Sequence, residues 1–218
     1  MRHVLLPELP TPQVLVDRLR LERNILRMQE AVSAGGMRLR PHVKTHKSPW
    51  IARQQTAAGA IGITCAKLGE AEVFARAGFG DIRVAYPVQP LNAGRIGDLL
   101  DRCRVSIVID DPDVAAGWSR ELTRLGRTLD VLVKVDVGFH RCGIDPRAAD
   151  AADVVARMAG LPGLRLRGLL SHAGHAYQAG SPADILRIAR DERDILCGLA
   201  GQLRPLGVEG GGLSAGST

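Results

Sequence analysis

The sequence has few aromatic residues and lacks several features that mark specialised classes of protein. It holds three Phe, two Tyr and two Trp in 218 residues, so a surface that stacks nucleic-acid bases is not expected despite a net charge of +6. No apolar run approaches the roughly 20 residues of a membrane-spanning helix. The N-terminal stretch MRHVLLPELPTP is interrupted by prolines and has no small-residue cleavage site, which predicts a cytoplasmic protein. No CxxC pair occurs, which favours free thiols at Cys65, Cys103, Cys142 and Cys197.

From about residue 13, short β-branched apolar runs alternate with longer amphipathic segments. This pattern is typical of βα units that build a parallel sheet. It predicts seven strands, at 38–45, 61–66, 81–88, 105–110, 129–136, 166–173 and 211–217. It predicts helices at 17–34, 48–58, 69–77, 91–101, 112–125, 146–159 and 182–204.

The order of these elements favours one barrel over a doubly wound sheet. No Gly-rich nucleotide-binding loop follows the first predicted strand, whereas repeated βα units are what a (β/α)₈ barrel requires. An eighth strand is not predicted, and the sequence ends in GGGLSAGST. We therefore expect residues 1–218 to form an α/β barrel domain that is incomplete at its C-terminus, as a fragment of a longer protein.

The segment RPHVKTHKS at 40–48 concentrates basic groups in the first predicted strand. Because strand side chains alternate between faces, His42, Lys44 and His46 are expected to share the inward face near the active-site end of the barrel. A largely desolvated lysine beside two imidazoles is a candidate nucleophilic amine. The alternative is a solvated basic strand end.

Three further segments follow predicted strands. In KVDVGFHRCG (134–143), Asp136, Gly138 and Gly143 predict a turn that presents Arg141 to an anionic oxygen, although a surface loop is also possible from spacing alone. In LLSHAGHAY, the candidate ligand-facing groups are His172, His175 and Tyr177. At the C-terminal end, we expect a glycine-rich turn of the phosphate-binding type at Gly216, Ser217 and Thr218. We interpret Glu70 and Glu72 as carboxylates in the first turn of a helix, where their negative charge interacts favourably with the helix dipole.

With these segments placed, the sequence resembles the D-threonine aldolase and D-serine dehydratase family, fold-type III pyridoxal-phosphate enzymes with an alanine racemase type of N-terminal barrel. The matching segments run in family order through nearly the whole chain, and RPHVKTHK is the most specific of them. The others are TPQVLVD, ERN, GITCAKLGEAEVFARAG, DIRVAYPV, VDVGFHRCG, SHAGHAY and SAGST.

The resemblance implies a role for each candidate residue. Lys44 forms a Schiff base with pyridoxal 5'-phosphate, with His42 and His46 shaping its surroundings, and Arg141 faces the phenolic oxygen of the ring. His172 and Tyr177 lie beside the ring and phosphate. Part of the phosphate is held by Gly216, Ser217 and Thr218.

The resemblance also implies a reaction and partners. A β-hydroxy-D-amino acid is either cleaved to glycine and an aldehyde or converted by elimination to an oxo acid and ammonia. Family members continue into a β-rich second domain that binds a divalent metal (Zn, Mn or Mg), so the present chain holds no metal ligand and is expected to be inactive alone. The full-length protein is expected to be a homodimer that binds a small D-amino acid, without nucleic-acid or membrane partners.

Two other functions are also compatible with the sequence. One is a single-domain pyridoxal-phosphate carrier without turnover. The other is a barrel hydrolase with a metal bound by His42, His46, His172 and His175. Against the hydrolase, such enzymes place first-strand ligands two residues apart, whereas His42 and His46 are four apart with a lysine between them.

Overall fold

The computed structural model describes residues 9–208 and 211–216 as a βα-repeat architecture. Two helices come first, α1 (Arg18–Ala34) and α2 (Pro49–Ala57). Strands and helices then alternate: β1 (Ile63–Cys65), α3 (Leu68–Arg76), β2 (Asp81–Pro87), α4 (Ala93–Leu100), β3 (Arg104–Ile109), α5 (Pro112–Leu125), β4 (Leu129–Lys134), α6 (Ala151–Ala159), β5 (Leu164–Leu170), α7 (Pro182–Leu203) and β6 (Gly212–Ser214).

The six strands form one parallel sheet in chain order, from β1 at one edge to β6 at the other. In a flat sheet β2 and β6 would lie about 19 Å apart, since neighbouring strands are about 4.8 Å apart. Arg83 on β2 nevertheless donates from Nη1 to Ser214 Oγ on β6 at 3.0 Å. The sheet therefore curls into part of a barrel, and the predicted α/β barrel architecture is confirmed.

The outward face of the curled sheet carries most of the core. Side chains such as Ile82, Ile107 and Val131 pack against the helices and are fully buried. Trp118 on α5 is also fully buried, and its Nε1 donates to the Val88 carbonyl at 2.7 Å. Burying this apolar surface is the main stabilising term for the repeat.

The inward face is polar at both ends and apolar in the middle. Val108, Leu132 and Leu170 form a small buried cluster inside the curl. At the N-terminal end of the strands, Asp81 pairs with Arg40 at 2.6 Å and with Arg104 at 3.1 Å. The apolar cluster separates these pairs from the carboxyl end of the sheet, where parallel βα folds place their sites.

The predicted first strand at 38–45 is wrong. His42 makes one isolated parallel bridge with Thr64 of β1, and a 3₁₀ turn over Val43–Thr45 follows at once. The His42 side chain accepts the Lys44 backbone N–H, and this local bond competes with a strand ladder. The described residues therefore hold six strands where seven were predicted.

Two expectations about composition can be compared with the structure. All four cysteines are free thiols, as predicted. Within residues 9–208 and 211–216, no helix combines the length and apolar character needed to cross a membrane.

Candidate active site

Residues 40–48 (RPHVKTHKS), called the lysine segment below, cross the carboxyl edge of the sheet as a turn. Three contacts hold this turn in place. Val43 is fully buried and anchors the turn to the core. His42 Nδ1 accepts the Lys44 N–H at 3.2 Å, and His46 Nδ1 accepts the Ser48 N–H at 3.0 Å. His42, Lys44 and His46 therefore do not share one strand face, and Lys44 is exposed where a largely desolvated lysine was expected. The side chains diverge because a 3₁₀ turn directs successive side chains around its axis, whereas a strand directs them to alternate faces.

The protonation state of His42 is fixed by its surroundings. Burial, followed by the nearby charge of Lys44, lowers the pKa of His42 from 6.5 to about 4. The imidazole is therefore neutral at pH 7, and its Nδ1 must lack a proton because it accepts from the backbone. Lys44 is left beside a neutral ring and not beside a second cation.

This low pKa predicts a pH-dependent stability. A histidine whose pKa is depressed in the folded state binds protons more weakly there than when unfolded, so falling pH favours unfolding. We expect the free energy of unfolding to be fully retained above pH 6.5 and to fall as the pH drops from 6.5 to about 4. Urea unfolding at a series of pH values should show a smaller fall in His42→Gln than in the parent. An equal fall in the free energy of unfolding of the two proteins would show that His42 does not cause the pH dependence.

A buried carboxylate holds the far end of the lysine segment. Glu70 on α3 pairs through Oε1 with Lys47 Nζ, and its Oε2 accepts the Ala66 N–H at 2.8 Å. Burial acts to raise the pKa of Glu70, but the hydrogen bonds from Lys47 and Ala66 outweigh it and the pKa falls. Glu70 therefore does more than favour a helix N-terminus: it ties the lysine turn to α3. Glu72, by contrast, pairs at the surface with Arg95 at 2.7 Å.

The loop after β4 is organised by Asp136. Its Oδ1 accepts backbone N–H groups from Gly138, Phe139 and His140 at 2.9, 3.1 and 3.0 Å, and its Oδ2 lies 2.9 Å from His140 Nδ1. Together these contacts hold the turn predicted in this segment. Arg141 follows it, exposed, with its guanidinium carbon 5.2 Å from the centre of the Phe139 ring.

The end of the same loop returns to the sheet through Gly143. This residue has a φ of +119°, and an added Cβ would lie 2.6 Å from the Asp136 nitrogen, so the position requires glycine. Its N–H donates to Asp110 Oδ2 at 2.9 Å at the end of β3. The loop that carries Arg141 is thus fixed to two strands.

The segment after β5 places a ring cluster on the same edge. His172 Nδ1 lies 3.0 Å from the Gly216 carbonyl oxygen, which links the ends of β5 and β6. The His172 ring centre is 5.9 Å from that of Phe139 and 5.9 Å from that of Tyr177. Burial lowers the pKa of His172, and the charges of Arg141, Lys134 and Lys44 lower it further, against the effect of the Gly216 carbonyl. The structure therefore brings Lys44, Arg141, His172 and Tyr177 to one place at the carboxyl edge.

His175 and His46 lie outside this cluster, and two further predicted residues cannot be placed. His175 packs against Gly138, and its Nδ1 is buried with no hydrogen-bond partner among the described residues. His46 Nε2 is likewise buried without a partner there. Of the predicted phosphate-binding turn, only Gly216 can be placed, because Ser217 and Thr218 lie outside the described residues.

Sequence reasoning missed one group in the site. Lys134, the last residue of β4, is 5% exposed on the inward face and interacts with Arg141 and Cys142. The signal was available, since Asp130, Leu132 and Lys134 alternate along a predicted strand that ends at the site.

The histidines do not form the metal centre of the hydrolase reading. Across residues 9–208 and 211–216, no cluster of three or more His, Cys, Asp or Glu side chains has the arrangement of a metal site. His42 and His46 instead use Nδ1 to cap backbone N–H groups. The donor geometry gives that reading no support in this part of the chain.

Comparison with protein-family models identifies the barrel. Residues 16–205 match the alanine racemase, N-terminal domain, model. The chain belongs to this family. The curled parallel sheet is the corresponding part of the alanine racemase type of barrel, which confirms the architecture expected from the sequence motifs.

Named relatives within the family act on D-amino acids with a β-hydroxyl group. A D-threo-3-hydroxyaspartate dehydratase from Delftia sp. strain HT23 is 36% identical over 211 residues, which are 96% of this chain and 56% of that protein. Its solved structure matches with a TM-score of 0.92, over 96% of this chain and 56% of the other. A D-threonine aldolase from an Arthrobacter species is 32% identical over 98% of this chain and 56% of its own length. A D-serine dehydratase from Dictyostelium discoideum is 29% identical, with 96% and 56% covered.

These comparisons confirm the resemblance that the motifs indicated. The chain spans about half the length of the relatives it matches, 56% in each of the three. Aldolase and dehydratase names both occur among them, so the family shared with these lyases does not choose between the two reactions.

Proposed function

We propose that the protein to which this chain belongs is a pyridoxal-phosphate-dependent lyase for β-hydroxy-D-amino acids, with Lys44 as the residue that holds the cofactor. The observation that carries the proposal is the convergence of Lys44, Arg141 and His172 at the carboxyl edge of the sheet, where each cation affects the imidazole. The names of the relatives support the substrate class.

The residues at this edge fit the cofactor in chemical type. Pyridoxal phosphate carries an aldehyde, a phenolic oxygen and a dianionic phosphate, and it needs an accessible amine and several cationic or N–H donors. Lys44 is exposed, and neither Lys44 nor Arg141 has an ion pair with a carboxylate within the described ranges. The site thus offers positive charge without internal neutralisation, which suits an anionic ligand.

When bound, the cofactor ring supplies an electron acceptor that stabilises negative charge at the substrate Cα. The chain's own residues would bind and orient the reactants. The Lys44 amine would hold the aldehyde carbon and move a proton at Nζ. His42 is neutral at pH 7 and lies beside that amine without adding a second positive charge.

The other site residues would position the ring. Arg141 would donate to the phenolic oxygen, as a guanidinium suits an anionic oxygen. His172 and Tyr177 would lie against the ring and phosphate, and Gly216, Ser217 and Thr218 would contribute to the phosphate site. His46 would support the turn that carries Lys44.

We assign no metal ligand to the present chain and propose a divalent cation, Zn, Mn or Mg, only for the whole protein, where it would activate the substrate hydroxyl. One solved structure of a D-threo-3-hydroxyaspartate dehydratase variant is of a metal-free form, which supports a metal in that relative.

We also propose a homodimer for the whole protein. Exposed apolar side chains on α1, among them Leu19, Leu26 and Met28, support a covered surface there.

Product analysis of the whole protein loaded with pyridoxal phosphate tests the function and separates the two reactions. An aldolase releases glycine and an aldehyde from D-threonine or D-threo-3-hydroxyaspartate, whereas a dehydratase releases an oxo acid and ammonia. We expect one of these product pairs from the D-substrates and none from the L-isomers. We expect no product from the 218-residue chain, because β1 and β6 are not paired with each other in the part of the chain that the structure describes. Cofactor binding without products from any D-substrate would instead favour a carrier.

A further inference from the structure

The Lys134 side chain is a buried cation without an ion-pair partner among the described residues. Lys134 ends β4 and is 5% exposed, and its side chain forms no hydrogen bond or ion pair with any residue in 9–208 or 211–216. Burial lowers its pKa, so the surroundings disfavour the charge that they do not neutralise. A desolvated ammonium group gains strongly from an opposite charge, because an ion pair is stronger where water is excluded.

The two carboxylates whose charges act on Lys134 are hydrogen-bonded to other groups. Asp110 accepts the Gly143 N–H at 2.9 Å, which fixes the Arg141 loop. Glu192 on α7 accepts from Ser171 Oγ at 2.6 Å behind β5. Both act on Lys134 only at longer range. Neither carboxylate forms an ion pair with the Lys134 side chain.

Lys134 lies on the inward face at the carboxyl end of β4, the edge that also carries Lys44 and Arg141. All three cations act on His172, and below Lys134 on the inward face lies the apolar cluster of Val108, Leu132 and Leu170. In the proposed function, Lys44 takes the cofactor aldehyde, Arg141 its phenolic oxygen, and the Gly216 turn its phosphate. Lys134 is the cation left without an anionic group.

We propose that Lys134 Nζ binds a carboxylate of the amino acid substrate. This inference rests on the proposed function and adds the substrate contact to it. The carboxylate is either the α-carboxylate of any D-amino acid or the second carboxylate of an acidic one such as 3-hydroxyaspartate. Both present the same chemistry to the ammonium group, and substrate comparison separates them.

The test compares Lys134→Met with Lys134→Arg and with Lys67→Met in the whole protein loaded with pyridoxal phosphate. Lys67 is an exposed lysine with no ion pair within the described ranges, so its substitution controls for loss of one positive charge. KM and kcat are measured for D-threonine and D-threo-3-hydroxyaspartate, and the inhibition constants of acetate and succinate are measured alongside. Thermal unfolding checks each variant, and Lys134→Gln replaces the methionine variant should that one fail to fold.

We expect Lys134→Met to raise KM about 10- to 100-fold with a much smaller change in kcat, and Lys134→Arg to retain most of the affinity. A rise for both substrates, with weaker acetate inhibition, identifies the α-carboxylate. A rise for D-threo-3-hydroxyaspartate alone, with weaker succinate inhibition, identifies the second carboxylate. Unchanged KM and inhibition constants in a Lys134→Met protein that still forms product would overturn the inference and leave the proposed function standing. Failure of the parent protein to attach the cofactor or form product would overturn the proposed function itself.

Discussion

Replacing Lys44 by alanine is expected to lower lyase turnover of the whole protein by at least about 1000-fold, because it removes both the amine that holds the cofactor and the base that moves the proton. The fold should survive. Lys44 is exposed, and the hydrogen bond that orders its turn uses the backbone N–H and not the side chain. Product formation and circular dichroism, measured on the same preparation, check the two statements.

A matched variant shows whether this loss is specific. Lys67→Ala removes the same side chain from an exposed position and should keep near-parental turnover. Added ethylamine should restore part of the activity of Lys44→Ala, since a small amine can fill the space left by the truncated chain. Retention of more than a tenth of parental turnover in Lys44→Ala would exclude Lys44 from the role proposed for it.

The second large effect is expected at Glu70. Truncation to alanine leaves the Ala66 N–H and the Lys47 ammonium without their acceptor and frees the end of the lysine turn. We expect the free energy of unfolding to fall by about 1–3 kcal/mol, the usual cost of leaving a part-buried donor such as the Ala66 N–H without its acceptor. The Lys47 side chain is 60% exposed and can be solvated instead. The affinity for pyridoxal phosphate should fall as well, because the turn that presents Lys44 loses an anchor.

Glu72→Ala is the matched control for Glu70→Ala. Glu72 is two residues away on the same helix, but its partner Arg95 is a surface group, and exposed ion pairs contribute at most about 1 kcal/mol. Urea unfolding and cofactor titration should separate the two variants. Equal stability and equal cofactor affinity in Glu70→Ala and Glu72→Ala would show that the buried carboxylate does not hold the lysine segment.

Much of the framework could be predicted because local signals coincide with tertiary packing. The helix predicted at 112–125 is observed at Pro112–Leu125. Asp111 caps its first N–H groups, Pro112 occupies the first turn, and Gly126 ends it with a φ of +61°. Each signal is readable from residue type alone.

Other elements depend on contacts that residue type does not reveal. The helix predicted from 146 begins only at Ala151, because Asp145 first accepts the Arg147 N–H and forms a turn. The strand predicted at 38–45 gives way to a 3₁₀ turn, because the His42 side chain captures a backbone N–H. Both errors come from short side-chain-to-backbone bonds that compete with regular structure.

The candidate site was also predictable only in part. Lys44, Arg141 and His172 were identified as candidates from motifs at predicted strand ends, and the structure brings them to one edge. The partner of Glu70 lies 23 residues earlier in the chain, and the spacing of CAKLGEAE does not contain it. The unpaired state of Lys134 is also a property of the folded interior, where the neighbouring carboxylates already have partners.

Chemical marking of the lysines tests whether Lys44 carries the cofactor. The protein is incubated with pyridoxal phosphate, reduced with borohydride to fix any lysine-bound pyridoxyl group, digested, and mapped by mass spectrometry. Only four lysines can take the label: Lys44, Lys47, Lys67 and Lys134. We expect stoichiometric label on Lys44 in the RPHVKTHKS peptide. Label on another lysine, or none at all, would contradict it.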